Sequence, residues 1–218
     1  MNKQYQVIAL MGKAGAGKDS IQEATCKLHP DIFHPIISCT TRPPRDGEID
    51  GIAYHFLSIN EFTRKVLNGE MLEATEFRDW FYGTSIDALA PNKINIGVFN
   101  PAGVSALLES PEICVTVVHV VAPDKVRLMR YLNREGEPDC AEMCRRYFAD
   151  EKDFADIDFD YYTIWNDDGC SLDLLNPKER MDIVCARLWN TLGRPESWEE
   201  VSAMPTMASA EDDKDNIR

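Results

Sequence analysis

The sequence predicts an α/β fold in which a parallel sheet is flanked by helices, and three observations carry that prediction. An apolar run, Tyr5 to Met11, passes through a glycine-rich turn into a segment with apolar residues at helical spacing. A second run, Ile113 to Val121, is apolar at nearly every position, as a strand covered on both faces requires, and a helix-like segment opens at Pro123 directly after it. The 218 residues, 44% of them hydrophobic, suffice for one good core with smaller inserted lobes.

The turn after the first strand reads Gly12-Lys13-Ala14-Gly15-Ala16-Gly17-Lys18-Asp19-Ser20, a phosphate-binding loop with one letter changed. Its glycines let the backbone curl until successive N–H groups point into one concavity, where phosphate oxygens accept them. Lys18 adds a charge suited to the β- and γ-phosphates of a nucleoside triphosphate. The following helix, Ser20 to Leu28 with Ile21, Ala24 and Leu28 on one face, turns its N-terminus toward those phosphates. Asp19 stands where such loops place the Ser or Thr that gives a hydroxyl to Mg²⁺. Strand, glycine loop and helix imply an ATP-type donor site built from residues 12 to 20.

Further along, Phe33 to Thr40 is strand-like and leads into Ser38-Cys39-Thr40-Thr41-Arg42-Pro43-Pro44-Arg45, a basic turn stiffened by two prolines. Two guanidinium forks held in a set relation suit bidentate contact with a phosphate. Ser58 to Glu61 is a capping box that opens a helix. Lys93 to Phe99 reads as a strand, Pro123 to Asn133 as a helix, and Arg134 to Phe154 as a charged helical stretch carrying Arg145 and Arg146. Arg127 and Arg145 fit either a ligand contact or an exposed helix charge. Pro177 to Leu192 reads as a last helix packing through Met181, Ile183, Val184, Ala186 and Leu188. Beyond Arg194, Ser, Pro, Met and a run of Glu and Asp describe an acidic tail expected to be disordered.

Composition excludes several classes. A formal charge of −14 argues against a nucleic-acid surface, since phosphate backbones are bound by Lys and Arg in excess. No stretch approaches a membrane span, and the N-terminus lacks the apolar stretch of a signal peptide, so an intracellular, cytoplasmic protein is expected. Seven cysteines without a Cys-x-x-Cys spacing argue for reduced thiols; Cys140 and Cys144 share a helix face but have no nearby His to complete a metal site.

The spacing Ser38-x3-Arg42-x2-Arg45, followed by Gly47-Glu48-x-Asp50-Gly51-x2-Tyr54-His55-Phe56, resembles the monophosphate site of guanylate kinases. The register holds through Gly69-Glu70-Met71-Leu72-Glu73 and Phe81-Tyr82-Gly83-Thr84-Ser85, and the resemblance covers roughly residues 5 to 168. It implies that Arg42, Arg45, Tyr54 and Tyr82 hold the monophosphate and that Ser38, Glu73, Thr84 and Asn100 meet the guanine base. It further implies that Lys18, Arg42, Arg146 and Arg134 are the catalytic cations and that Tyr161 to Asp168 form a strand and turn in which Asn166 contacts the adenine of ATP. Guanine's adjacent N1–H and N2–H₂ donors suit a carboxylate such as Glu73, and adenine offers no such pair.

The organisation implied is one domain over residues 1–193, with a core of 1–35, 93–133 and 155–193. A monophosphate-binding lobe of 36–92 and a lid of 134–154 are inserted into it, and 194–218 form the tail. The expected activity is Mg²⁺- and ATP-dependent phosphorylation of GMP or dGMP. A broader deoxynucleoside monophosphate kinase, of the kind viruses encode, and a non-catalytic binding module of the same fold are the alternatives. Departures from the family's pattern bear on that choice. Val98 and Asn100 stand where the family's strand carries two aspartates, the connection from Ile86 to Lys93 is short, and Glu135 takes the place of a lid arginine, which shifts that role to Arg134. Asp19, beside Lys18, fits either a replacement for the lost charge near Mg²⁺, directly or through a water, or a carboxylate favoured at a helix N-terminus by the dipole alone.

Overall fold

Tyr5–Met11 forms β1 at the centre of a five-stranded sheet whose every neighbouring pair is parallel. The computed structural model describes residues 4–44, 47–77, 79–134, 138–166 and 177–192. The strand order is β2 (Phe33–Pro35), β7 (Ile94–Val98), β1, β8 (Ile113–Val121) and β9 (Tyr162–Trp165). Alternate residues of β1 enter two separate cores. Ile8 and Leu10 pack with Ile21 of α1 (Lys18–Leu28) and with Val184 and Leu188 of α6 (Pro177–Thr191), while Val7, Ala9 and Met11 pack with Val104 and Leu107 of α3 (Pro101–Glu109). Helices on both faces explain why β1 and β8 carry so few polar residues.

A second sheet has the order β4 (His55–Phe56), β3 (Cys39–Thr40), β6 (Trp80–Ser85) and β5 (Met71–Phe77), and beside it lies α2 (Ile59–Leu67). The expected capping box is complete: the Ser58 hydroxyl accepts from the Glu61 amide, and the Glu61 carboxylate accepts from the Ser58 amide. α4 spans Asp124–Arg134 and α5 spans Cys140–Asp153.

The structure corrects the expected strand from Phe33 to Thr40. It is two strands in two sheets: β2 ends at Pro35, β3 begins at Cys39, and Ile36 turns its side chain into the core between them. The charged stretch from Arg134 to Phe154 likewise divides, its helix beginning only at Cys140 with Asp139 as the cap. On α6, Ala186 faces solvent and Cys185 takes the core position in its place. Arg45, the side chains of Arg134 and Ile183, and the acidic tail lie outside the described residues. Among those described, no helix is long and apolar enough to cross a membrane.

Candidate active site

The loop between β1 and α1 is held open from behind. Gly17 has φ +90°, a left-handed conformation, and a Cβ there would fall 2.4 Å from Asn166 Nδ2. At Gly12 the approach is closer still, since a Cβ would lie 2.3 Å from the Val120 carbonyl oxygen of the neighbouring strand. Asn166, buried at the end of β9, donates from Nδ2 to the Ala16 carbonyl at 2.7 Å. Arg130 donates to the Gly15 and Ala16 carbonyls at 3.2 and 3.3 Å and to the Asn166 carbonyl at 3.0 Å. Arg127 donates to the Ala14 carbonyl at 3.1 Å and is only 3% exposed, which resolves the choice between ligand-side contact and exposed charge in favour of a buried prop under the loop. Arg145 resolves the other way, paired with Glu142 on the surface. Sequence reasoning missed Arg127 and Arg130 as loop supports. Their signal was their i, i+3 spacing on the helix that follows β8, because the parallel pairing of β1 with β8 brings the start of that helix beside the loop.

Lys18 donates to the Gly12 and Lys13 carbonyls at 2.7 and 3.3 Å. Burial lowers its pKa below the usual lysine range, and the carboxylates of Asp19 and Asp150 partly restore it. The neighbouring Lys13 pairs with Glu151 at 2.5 Å.

Across a cleft of about 360 Å³ the second sheet presents a different chemistry. Arg42 is 8% exposed; its Nη2 pairs with Glu48 at 2.9 Å, its Nη1 donates to the Pro43 carbonyl at 2.7 Å, and its guanidinium lies 5.6 Å from the centre of the Tyr54 ring. Tyr54 and Tyr82 meet edge to face at 6.0 Å, and burial pushes the Tyr54 hydroxyl up to about 12. Glu73 Oε1 accepts from the Thr84 hydroxyl at 2.9 Å, and Ser38 Oγ lies 3.2 Å from the same hydroxyl. Burial raises Glu73 to about 7, against the pull of its Thr84 hydrogen bonds.

Of the residues the sequence singled out, Gly12, Ala14 and Lys18 line the cleft from the loop, and Ser38, Arg42, Tyr54, Glu73 and Tyr82 from the second sheet. Asn100 and Arg146 line it from the ends of β7 and from α5. Thr84 sits fully buried behind Glu73. Asn166 stands behind the loop, its amide spent on Ala16, and Asp19 and Ser20 are exposed on the first turn of α1. Arg146 is drawn to Glu142 at 2.6 Å and lies 5.8 Å from the centre of the Tyr131 ring. Asn100 caps α3, its Oδ1 accepting from the Gly103 amide at 2.7 Å, which leaves its NH₂ as the group free to meet a ligand. Asp150 and Asp153 of α5, unforeseen from sequence, also face the cleft.

A family model described as guanylate kinase matches residues 4–170. The chain belongs to the guanylate kinase family. A guanylate kinase of Latilactobacillus sakei is 30% identical over 149 residues, 67% of this chain and 73% of that protein. One of Maricaulis maris is 30% identical over 167 residues, 74% of this chain and 76% of that protein. With a guanylate kinase of Nostoc sp. the identity rises to 37%, but the chain spans only 45% of that protein's length. The crystal structure of guanylate kinase from Anaplasma phagocytophilum shares the fold at a TM-score of 0.56 and 18% identity, covering 91% of this chain and 94% of that one.

Within this family's architecture the candidate metal ligands are sparse. Val98 carries no donor atom, and among the described residues no group of three or more His, Cys, Asp or Glu is placed to hold an ion. A kinase Mg²⁺ needs only one or two carboxylates beside the donor's own phosphates, and the exposed Asp19 carboxylate next to Lys18 fits that limited requirement.

Proposed function

We propose that this chain transfers the γ-phosphoryl group of ATP to GMP or dGMP. The observation that carries this reading is that one cleft joins Lys18 of the phosphate loop to Arg42 and to the Ser38–Thr84–Glu73 hydrogen-bonded group. The loop amides and Lys18 take the donor phosphates. Arg42, with Tyr54 and Tyr82, orients the acceptor phosphate, and Arg45 supplements it. An ionised Glu73 accepts guanine's N1–H and N2–H₂ together, and adenine leaves that buried carboxylate unpaired at a cost of several kcal/mol, about what strong discrimination requires.

No covalent intermediate is needed, because an acceptor phosphate oxygen attacks the γ-phosphorus directly and catalysis rests on alignment and charge neutralisation. Lys18, Arg146 and Arg134 offset the negative charge of the migrating group. Bound with ATP, Mg²⁺ would be held by Asp19 and the phosphates and would neutralise charge between the β- and γ-phosphates. In this reading residues 36–92 act as the monophosphate lobe, 134–154 act as the lid, and the protein works in the cytoplasm.

A second reading, a kinase of broader deoxynucleoside monophosphate range, is favoured by Asn100, whose side chain offers the cleft an amide donor where the family resemblance implies an acidic acceptor. An ADP-release assay over all ribo- and deoxynucleoside monophosphates tests both. Turnover confined to GMP and dGMP supports the first reading, turnover spread over several bases the second, and no ADP with any acceptor rejects both in favour of a binding module.

A further inference from the structure

Asp150 Oδ2 accepts the Ala14 amide at 2.6 Å. That amide belongs to the curled stretch whose N–H groups are arranged for phosphate oxygens, so a carboxylate from α5 sits where a donor phosphate would sit. Its surroundings are those of a bound anion. The Arg127 guanidinium is 3.5 Å away, and Asp150 is one of the two carboxylates that stabilise the Lys18 charge. The hold is reinforced next door, where Lys13 of the loop pairs with Glu151. Lys18 is turned back onto the carbonyls of Gly12 and Lys13.

We propose that Asp150 occupies the donor-phosphate seat of the loop in the absence of nucleotide, and that the triphosphate of the donor must displace it. One amide hydrogen cannot serve a carboxylate and a phosphate oxygen together, and two anions in a partly buried cleft repel. Asp150 thereby sets donor affinity: the triphosphate binds only the fraction of molecules in which the seat is vacant. Arg146, the cation assigned to the migrating group, lies one helical turn before Asp150 on the same face of α5, so the residue that leaves and the residue that serves are neighbours. The inference rests on the proposed use of the loop for a triphosphate donor, and it concerns that half of the site alone.

The test is direct titration of ATP, without acceptor, into the full-length protein and its variants. If Asp150 holds the seat in about nine-tenths of the molecules, Asp150→Ala tightens ATP binding about tenfold. The same variant lowers KM for ATP and leaves KM for GMP within about twofold, a split that general loss of structure would not produce. Asp150→Asn, which keeps an acceptor oxygen but loses the charge, gives a smaller gain. Asp153→Asn removes one charge from the same cleft without touching the loop, and a gain there equal to that of Asp150→Ala would reduce the effect to net charge and overturn the proposal. The Ala14 amide resonance of the wild-type protein moves on addition of ATP and moves likewise on Asp150→Ala alone. Unchanged or weaker ATP binding by the Asp150 variants overturns the inference, as does a weakening seen with Mg²⁺ but absent in EDTA, which would make Asp150 a metal ligand. Failure of GMP turnover in the wild-type protein would instead reject the acceptor reading, and the ATP titration would still stand on its own.

Discussion

Thr84 donates its hydroxyl to Glu73 at 2.9 Å from a position of complete burial, so the carboxylate that would read the base is oriented from behind by a side chain no ligand can reach. The pairing is made by the sheet: β5 and β6 run antiparallel with Glu73 directly opposite Thr84. Desolvation outweighs the hydrogen bonds from the Thr84 hydroxyl and backbone and raises Glu73 to about 7.

This gives the first prediction its sign. The folded state holds the Glu73 proton up to about pH 7, whereas the unfolded chain releases it near 4.5, so stability falls as pH rises through that window and the penalty is complete above it. Glu73→Gln removes the penalty. The variant should melt higher than wild type at pH 8, by at most an equivalent of roughly 3 kcal/mol, with the gap narrowing as pH falls and closing only below the unfolded value of 4.5, at about pH 4. GMP binding should move oppositely: KM for GMP falls as the carboxylate ionises, and in Glu73→Gln it rises at least about tenfold and loses its pH dependence. Calorimetry at about pH 8 and about pH 4 measures the stability half, and steady-state kinetics on either side of about pH 7 measures the binding half.

Asn166 yields a prediction about the donor loop. Its Nδ2 donates to the Ala16 carbonyl, and Arg130 braces both from the other side. Asn166→Ala loses the hydrogen bond and should cost about 1–2 kcal/mol of stability. Asn166→Asp should cost more, because it sets a carboxylate oxygen against the Ala16 carbonyl oxygen. Both should raise KM for ATP more than KM for GMP, and equal effects on the two substrates would show that Asn166 does not act through the loop.

The loop, its strand and its helix were legible in the sequence because they rest on local rules, namely glycines where φ turns positive and an apolar run before them. β1, β7 and β8 followed from their apolar runs for the same reason, β9 came only through the family's pattern, and the passage from β2 to β3 reads as one strand. There a continuous extended pattern hid the passage from one sheet to the other, since backbone that stays extended keeps the same periodicity whichever sheet it joins. Across the cleft, the proline-stiffened Arg42 turn stood out from its residues alone, while Ser38, Tyr54, Glu73, Tyr82 and Thr84 were singled out only through the family's spacing. What pattern could not show was contact at long range: that Arg127 and Arg130 turn inward to the loop, that Asn166 is spent on Ala16, and that Asp150, 136 residues along the chain from Ala14, reaches its amide. Each depends on how α4, α5 and β9 return to the loop, and no residue near Gly12 encodes it.

Arg42 tests the acceptor phosphate site. Its guanidinium is positioned by Glu48, by the Pro43 carbonyl and by the rings of Tyr54 and Phe56, so its geometry is set before any ligand arrives. A lysine keeps the charge but loses the planar fork and one of those contacts. Arg42→Lys should lower kcat/KM for GMP by about 100-fold or more while leaving ATP affinity within about twofold, with folding intact by its melting profile. A change of less than about threefold in kcat/KM would remove Arg42 from the acceptor site.

Asp19 remains the residue on which the metal question turns. Among the described residues its exposed carboxylate forms no hydrogen bond or ion pair, although it stands beside Lys18 at the start of α1. If it supports Mg²⁺ in place of the acidic groups absent at Val98 and Asn100, Asp19→Ala should abolish Mg²⁺-dependent turnover while leaving GMP binding nearly unchanged by calorimetry. Asp19→Ser restores the hydroxyl that such loops ordinarily carry, and it should recover turnover at a higher Mg²⁺ requirement, since the strand offers no second acid. A helix-dipole role predicts otherwise: Asp19→Ala would then lose only about 0.3–1 kcal/mol of stability and keep its rate. Comparing the Mg²⁺ dependence of turnover with the melting temperature in the two variants separates a metal ligand from a helix-end charge.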